Sequence, residues 1–429
     1  MTQDDPSEDR ERSDPDALRR DRDQVPVAVP ADTIPRSRLD QDALRVISRL
    51  QRNDFEAYLV GGCVRDLLIG RIPKDFDVAT SAHPRQIKRL FRNARIIGRR
   101  FRLAHLTYGS HIVETATFRR EPDSAAAEDS GDEPAEGMSA ELPEGTPEDL
   151  LITQDNEFGT AEQDAQRRDF TINALFYDPT RSVIHDFVGG LRDLEDGVLR
   201  TIGDPHVRMA EDPVRILRAV KFATRLSFRI DERTWDAMTA LAPQLSRAAP
   251  PRVLEEVLRL LRSGTALGAV RMLRACGALR VVLPEVDAFL GERDDPVAAE
   301  RADSLWRLLE ALDNDVHTGF VPTTPLCLAI LYLRIIEQDV DLAAGPESPG
   351  GPGSHDVLAT ASRVLEPVAQ SSRIARRDYT RAVRILDRQR RFTTPASRRF
   401  RPLLFVLSEE FPEALDLFRL RSAARGQGG

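Results

Sequence analysis

The sequence predicts an α/β head of the α+β kind, built on a small mixed sheet and followed by an all-α body. Three observations predict this. Between residues 57 and 187, short β-type runs alternate with helical patterns. From Asp204 almost to the end, apolar residues recur at helical spacing. An acidic stretch at 121–152, rich in Pro, Gly and Glu, interrupts the first pattern and offers nothing that could bury a core.

These shifts divide the chain into four expected parts. Residues 1–35 read as a disordered acidic tail, and 36–200 as the head, with 121–152 as a solvated insertion. A helical neck is expected over 201–300, and a helical body with a frayed end over 301–429. The 429 residues are enough for such a multi-domain plan. The formal net charge of −8 argues at first against a polyanionic partner, but its distribution reverses that reading. The tail is net −5 and residues 121–150 are net −11, leaving the rest at +8. A basic body of this kind attracts phosphate backbones.

Cys63, Cys276 and Cys327 are widely spaced and odd in number, so neither a disulfide framework nor a zinc motif follows. The N-terminal residues carry no apolar secretion segment, and no apolar run reaches the roughly 18–20 residues a membrane span needs. A soluble, cytoplasmic protein is expected, and a monomer.

In the head, Asp40–Leu50 is periodic and reads as the first helix. Ala57–Val60 is a strand ending at Gly61-Gly62, and Val64–Ile69 a short helix. Phe76–Ala79 is expected as a strand, Pro84–Phe91 as a helix, and Arg102–Tyr108 and Ile112–Phe118 as strands. After the insertion come a helix from Ala161 and a strand at Val183–Phe187. Helices are then expected at 206–226, 232–246, 251–262, 265–276, 299–313, 324–337 and 374–390, with a loop at 343–355.

The segment Leu59–Asp77 reads LVGGCVRDLLIGRIPKDFD. A strand ending in Gly61 and Gly62 before a helix lets backbone amides approach a phosphate, and Arg65 could add charge-assisted bonds. There is no GxxxxGK[ST], which excludes a P-loop. In Asp75-Phe76-Asp77 the two carboxylates, two residues apart on a strand, would share one face. Such a pair repels itself unless cations neutralise it, and Mg²⁺ prefers these oxygen ligands. Two ions about 3.5–4 Å apart would suit an in-line displacement at phosphorus. A third carboxylate is wanted. Glu114, expected among apolar neighbours on its strand, and Asp169 are both candidates.

Residues 162–175, EQDAQRRDFTINAL, gather Arg167, Arg168, Asp169, Thr171 and Asn173. Asp and Asn suit ribose hydroxyls, and Arg suits phosphate. Glu211-Asp212-Pro213-Val214-Arg215-Ile216-Leu217-Arg218 reads as a helix start, with Asp212 as N-cap and Pro213 at the first position. Arg215 and Arg218 then share a face, where a guanidinium and a carboxylate could read the edge of a base.

In this order, from about Ala57 to Phe228, the motifs resemble the class II nucleotidyltransferases of the polymerase β superfamily. That family comprises bacterial poly(A) polymerases and tRNA CCA-adding enzymes. The resemblance implies a nucleotidyltransferase head with catalytic metals on Asp75 and Asp77 and a triphosphate at Gly61, Gly62 and Arg65. It implies ribose and active-site contacts at Arg168, Asp169 and Asn173, and nucleobase selection by Asp212, Arg215 and Arg218. The run Ile96-Ile97-Gly98-Arg99-Arg100-Phe101-Arg102-Leu103-Ala104-His105-Leu106 is similar to that of the poly(A) polymerase branch. Arg99, Arg100 and Arg102 are accordingly expected RNA contacts. Leu283-Pro284-Glu285 resembles the neck of the same branch, and the Arg clusters at 373–391 and 398–401 are candidate phosphate contacts.

The expected reaction is template-independent transfer of AMP from ATP to RNA 3′ ends, with two Mg²⁺ ions. CCA addition to tRNA is the nearest rival, and a non-catalytic RNA-binding homologue a further one. His185-Asp186 and His355-Asp356 suggest a metal phosphohydrolase, but neither pair has convincing additional ligands at helical spacing.

Overall fold

The computed structural model describes residues 27–30, 34–98, 102–120, 157–292, 295–344, 354–392 and 402–426. The expected insertion at 121–152, most of the tail, Arg99, Arg100 and the Arg cluster at 398–401 lie outside them. The chain divides into two compact units, Met1–Asp204 and Pro205–Gly429. The separately expected neck and body fall, from Pro205 on, within the second.

The first unit is organised by an eight-stranded mixed sheet. Its strands are β1 (Val27–Pro30), β2 (Ala57–Val60), β3 (Asp77–Thr80), β4 (Ala94–Ile97), β5 (Leu103–Tyr108), β6 (His111–Thr117), β7 (Leu175–Asp178) and β8 (Val183–Asp186). They lie in the order β1-β8-β7-β2-β3-β6-β5-β4. Only β3 and β6 pair in parallel; the other neighbours are antiparallel.

Three expectations need correcting here. Residues 27–30, assigned to the disordered tail, form the edge strand β1 against β8. Its β-branched valines suit a strand, and Pro30 is tolerated because an edge position needs no donated ladder bond. The strand expected from Phe76 starts at Asp77, so Asp75 precedes it. β4 and β7 were not anticipated. β7 is buried along its whole length, so its run shows no alternation that would mark a strand.

Sheet parity decides what each residue faces. Val60 pairs with Asp77, and Tyr58 with Ala79. In the parallel pair, Val78 is opposite Thr115 and Ala79 opposite Ala116. Asp77 and Glu114, one step earlier on each strand, therefore stand side by side on the same face as Val60 and Ala79. That face is packed by Tyr58, Val60, Ala79, Phe118, Ala165, Phe176 and Ile202. Glu114 is at its open end and half exposed, rather than buried among apolar neighbours as expected.

The second unit is helical. Its longest buried run, Leu326–Leu333, lies in the helix Thr324–Ala344 and is covered all round, which marks it as an interior helix. The expected helix 206–226 is two helices, Pro205–Glu211 and Val214–Leu226. Pro213 lacks the N–H that would continue the ladder, so the break falls there. The helices Ser354–Ser371 and Phe411–Ala424 were not anticipated. All three cysteines are buried thiols.

Candidate functional site

The β2–turn–helix segment is the first part of the site. Gly61 takes φ 76° before the helix Gly62–Leu68, a backbone conformation that favours glycine. A Cβ added there would lie 3.2 Å from Arg168 Nη1, so the guanidinium closes directly over the turn. Because Val60 is in register with Asp77, the carboxylate of Asp77 emerges beside this turn. The Cys63 thiol of the following helix donates back to the Val60 carbonyl at 3.2 Å. Asp75, two residues before the strand, is exposed.

Asp77 is open to solvent on one side and crowded by protein on the others. Burial pushes its pKa up to about 6, with Glu114 and Asp75 adding to the rise and Arg168 opposing it. Three carboxylates thus press on one another with one cation nearby. That is the electrostatic condition in which a bound divalent ion is favourable, and all three donors are the oxygens that Mg²⁺ prefers. Glu114 is held by His105 of the neighbouring strand, Nε2 to Oε1 3.4 Å.

A second network fixes the polar residues beyond the turn. Arg65 is buried rather than presented to a ligand. Its guanidinium donates to Asp66 Oδ1 from Nε (2.9 Å) and Nη2 (2.7 Å), and to Asn173 Oδ1 from Nη1 (2.5 Å). The expected direct contact of Arg65 with a triphosphate is therefore not what this arrangement offers. Asn173 Nδ2 in turn donates to Asp169 Oδ1 at 3.1 Å, and Arg168 Nη1 donates to the Asn173 carbonyl at 3.2 Å. Arg65, Arg168, Asp169 and Asn173, scattered over more than a hundred residues, form one connected set around Gly61.

Several residues that sequence reasoning missed hold this set. Asp164 accepts from both Arg167 and Arg168. Burial alone would raise its pKa, but Arg168 and Arg167 outweigh that and hold it low. The spacing of three and four residues on a helical pattern was a readable signal for it. Thr171 Oγ1 donates to Asp193 Oδ2 at 2.7 Å, which Arg200 also grips. Gly190 packs so tightly here that a Cβ would meet the Thr171 carbonyl at 2.2 Å. Nothing in the spacing of Thr171, Gly190 and Asp193 announces that contact.

His185 and Asp186 are explained structurally. Asp186 accepts backbone N–H groups from Val188, Gly190 and Leu191, and His185 packs on Tyr58 and Phe187. The side chains of His355 and Asp356 lie outside the described set.

Among the described residues, the one group of three His, Cys, Asp or Glu side chains whose ligand atoms lie within 4.8 Å of one another is Asp40, Asp42 and His111, an arrangement compatible with metal binding. It is separate from Asp75 and Asp77. His111 has the parity of Val113 and Thr115, so it faces the opposite side of the sheet from Glu114 and Asp77.

In the helical unit, Asp212 does not cap the helix as expected; Pro213 occupies that place, while Asp212 Oδ1 accepts the Val214 N–H. Both Asp212 oxygens are held by Arg252, at 3.0 and 2.6 Å. Arg215 donates to the Arg208 carbonyl (2.5 Å) and to Glu211 (3.2 Å), and Arg218 lies over the Phe222 ring. Arg252, forty residues from Asp212, was not identified. Arg102 is exposed at the entry to β5.

Comparison with known proteins identifies the family. Residues 57–200 match the family described as "Poly A polymerase head domain", and residues 227–290 that described as "Probable RNA and SrmB- binding site of polymerase A". The chain is 38% identical over 345 residues to Poly(A) polymerase I of Haemophilus influenzae, covering 80% of this chain and 72% of that protein. With the CCA-adding enzyme of Lactobacillus helveticus it shares 34% over 218 residues, covering 51% and 49%. A CCA-adding enzyme solved with CTP shares the fold, with a TM-score of 0.59 at 21% identity, covering 94% of this chain and 84% of that one. From the extent of the match to Poly(A) polymerase I, the chain belongs to the bacterial poly(A) polymerases within the tRNA nucleotidyltransferase/poly(A) polymerase family.

Proposed function

We propose that this chain extends RNA 3′ ends with AMP taken from ATP, without a template, releasing pyrophosphate. The observation that carries the reading is the register of Asp77 with Val60, which sets the acid beside the Gly61 turn under Arg168. Asp75 and Asp77 are the proposed holders of two Mg²⁺ ions, with Glu114 as the third carboxylate. Mutual repulsion around Asp77 supports that fit. When bound, the ions would activate the RNA 3′-hydroxyl and neutralise the departing pyrophosphate.

The chain's own groups supply placement and charge. The Gly61-Gly62 backbone and Arg168 take the triphosphate, while Asp169 and Asn173 take the ribose. Arg65 is a positioning residue, because its guanidinium fixes Asn173 from a buried site. Asp212 and Arg215, with Arg218 beside them, select adenine. The bidentate grip of Arg252 on Asp212 holds one edge-reading carboxylate in a single orientation, which favours one base over another. Exposed Arg102, with Arg99 and Arg100, contributes RNA phosphate contacts.

Among the described residues no helix is long and apolar enough to cross a membrane. With RNA as partner, a cytoplasmic monomer is the proposed state.

The test offers the purified chain each of the four nucleoside triphosphates on an unstructured RNA primer with Mg²⁺. A tRNA lacking its 3′ end is then supplied with CTP and afterwards with ATP. Long adenylate tails on the primer are expected. Ordered addition of C, C and A that then stops would replace this reading with CCA addition.

A further inference from the structure

In the helical unit a cavity of about 650 Å³ is lined by residues of the helices Pro296–His317, Thr324–Ala344, Arg376–Arg388 and Phe411–Ala424. Its charge is unbalanced. Arg301, Arg334, Arg390, Arg421 and Arg425 line it, against the carboxylates of Glu337 and Asp341 alone. Glu337 is already shared, accepting Arg334 Nη1 at 2.7 Å on one oxygen and Arg421 Nη2 at 2.6 Å on the other.

The walls show the same shortfall. Arg301 Nε, Arg421 Nε and Gln389 Oε1 are buried without a hydrogen-bond partner. Gln389 itself is only 3% exposed, with its amide nitrogen spent on the Ile385 and Ala414 carbonyls. Buried polar groups are ordinarily satisfied, so a cluster of exceptions around one cavity calls for an explanation. Burial lowers the pKa of Arg421, and Arg425 and Arg334 lower it further, against the pull of Glu337. Like charges are therefore held close together beside an open space.

Apolar Phe289, Leu333, Ile336, Val340, Val357 and Leu386 share the lining with the uncharged polar residues Ser304, Gln338 and Gln389. The volume falls in the range of pockets that enclose a small organic ligand rather than a bare ion. A ligand answering both kinds of lining residue combines negative charge with a flat, weakly polar body. Arginine forks match phosphate oxygens, and an apolar wall with an aromatic edge accepts a heterocycle.

We propose that this cavity is a nucleotide-binding site, with the phosphate among the arginines and the base against the apolar wall. Its residues are distinct from the catalytic set, and binding there requires neither Asp75 nor Asp77. The same chemistry is presented by one nucleotide of an RNA tail and by a free mononucleotide.

The experiment uses the full-length Asp77→Ala protein, so that probes are not consumed. Hydrogen exchange is followed over residues 324–344 and 411–424 with three probes: 5′-AMP, a 5′-phosphorylated oligoadenylate, and inorganic phosphate. Protection by oligoadenylate but not AMP supports the site and assigns it to RNA; protection by both supports it and assigns it to free nucleotide as well. Equal protection by phosphate overturns base recognition, and absence of protection by every probe overturns the site.

Arg425 is exposed at the lining, so Arg425→Glu should leave folding intact while weakening protection-linked affinity about fivefold. Arg334→Gln is the second variant and should act in the same direction. Unchanged affinity in both would also overturn the proposal. Failure here leaves AMP incorporation by the parent enzyme untouched, which separates this test from that of the catalytic reading.

Discussion

Glu114 and His111 are three residues apart on β6, yet they serve opposite faces of the sheet and meet opposite fates. On the His111 face the acidic groups are already answered by protein. Asp40 accepts the Ala43 N–H as a helix N-cap, and Asp42 pairs with Arg45 at 2.8 Å and with His111 at 3.3 Å. On the Glu114 face, burial together with the charges of Glu114 and Asp75 raises the proton affinity of Asp77, with Arg168 as counterweight. The difference teaches that closeness of ligand atoms does not by itself mark a catalytic metal site. The tighter cluster is the one whose charges are locally neutralised. The looser one stands beside a glycine turn, where neighbouring carboxylates add to the rise in the Asp77 pKa.

The strongest way to break this comparison is to remove Asp77. Asp77→Ala should lower single-turnover AMP incorporation by at least about a thousandfold, roughly 4 kcal/mol of transition-state stabilisation. Circular dichroism should remain that of the parent, since the side chain is at the open edge of its face. Activity within tenfold of the parent in folded protein would move the chemistry elsewhere.

Asp164→Asn tests the support under the same face. Asp164 accepts bonds from two arginines and from the Arg119 N–H while buried, so its loss should cost about 3 kcal/mol in denaturant unfolding. The sign of its pH dependence follows from its depressed folded pKa. The stabilisation is fully present above the ordinary value of 3.8 and is lost as pH falls through the lower folded value. Parent protein should therefore lose stability below about pH 4 along a limb that is shallower in the variant. Identical acid limbs would show that Asp164 does not carry this linkage.

How much of this was readable in advance depended on sequence distance. The Gly61-Gly62 turn, the Asp75/Asp77 pair and the Arg167-Arg168-Asp169 cluster are local patterns, and the structure gathers them as local elements around β2 and β3. The short strands β4 and β7 were not legible. β7 is buried throughout and so lacks alternation, while β4 is only four residues long. The break at Pro213 was legible in chemistry but was read as a first-turn proline instead of a boundary. Arg65 was misjudged for a different reason. Its type suggests a phosphate ligand, but its partner Asn173 lies 108 residues away, and nothing in the local sequence reports burial. Asp212 and Arg252 show the same limit: a bidentate pair across forty residues leaves no periodic trace.

A smaller effect sharpens the comparison by deciding the third carboxylate. Glu114 adjoins Asp77 across the parallel β3–β6 pair, whereas Asp169 is occupied by Asn173 and by the Phe170 N–H. Glu114→Gln keeps the shape and removes one charge from a half-exposed position. Its kcat/KM should fall about tenfold, near 1.4 kcal/mol. Measuring the variant beside Asp169→Asn at several Mg²⁺ concentrations separates the roles. A Glu114→Gln enzyme with unaltered Mg²⁺ dependence would return the third position to Asp169.

The smallest expected effect comes from the other face. In His111→Ala, Asp42 keeps its pairing with Arg45, and Asp40 keeps its bond to the helix N-terminus. The lost ion pair is partly exposed, with 40% of the His111 side chain accessible, so solvent screens most of it. Unfolding free energy should shift by under about 0.5 kcal/mol, and AMP incorporation should stay at the parent rate. The measurement pairs a urea titration with the primer assay at saturating Mg²⁺. A large loss of turnover with unchanged stability would mean that the tighter cluster holds the catalytic ion after all. The two sides of β6 would then have exchanged roles, since the parity of the strand does not let Glu114 and His111 serve the same site.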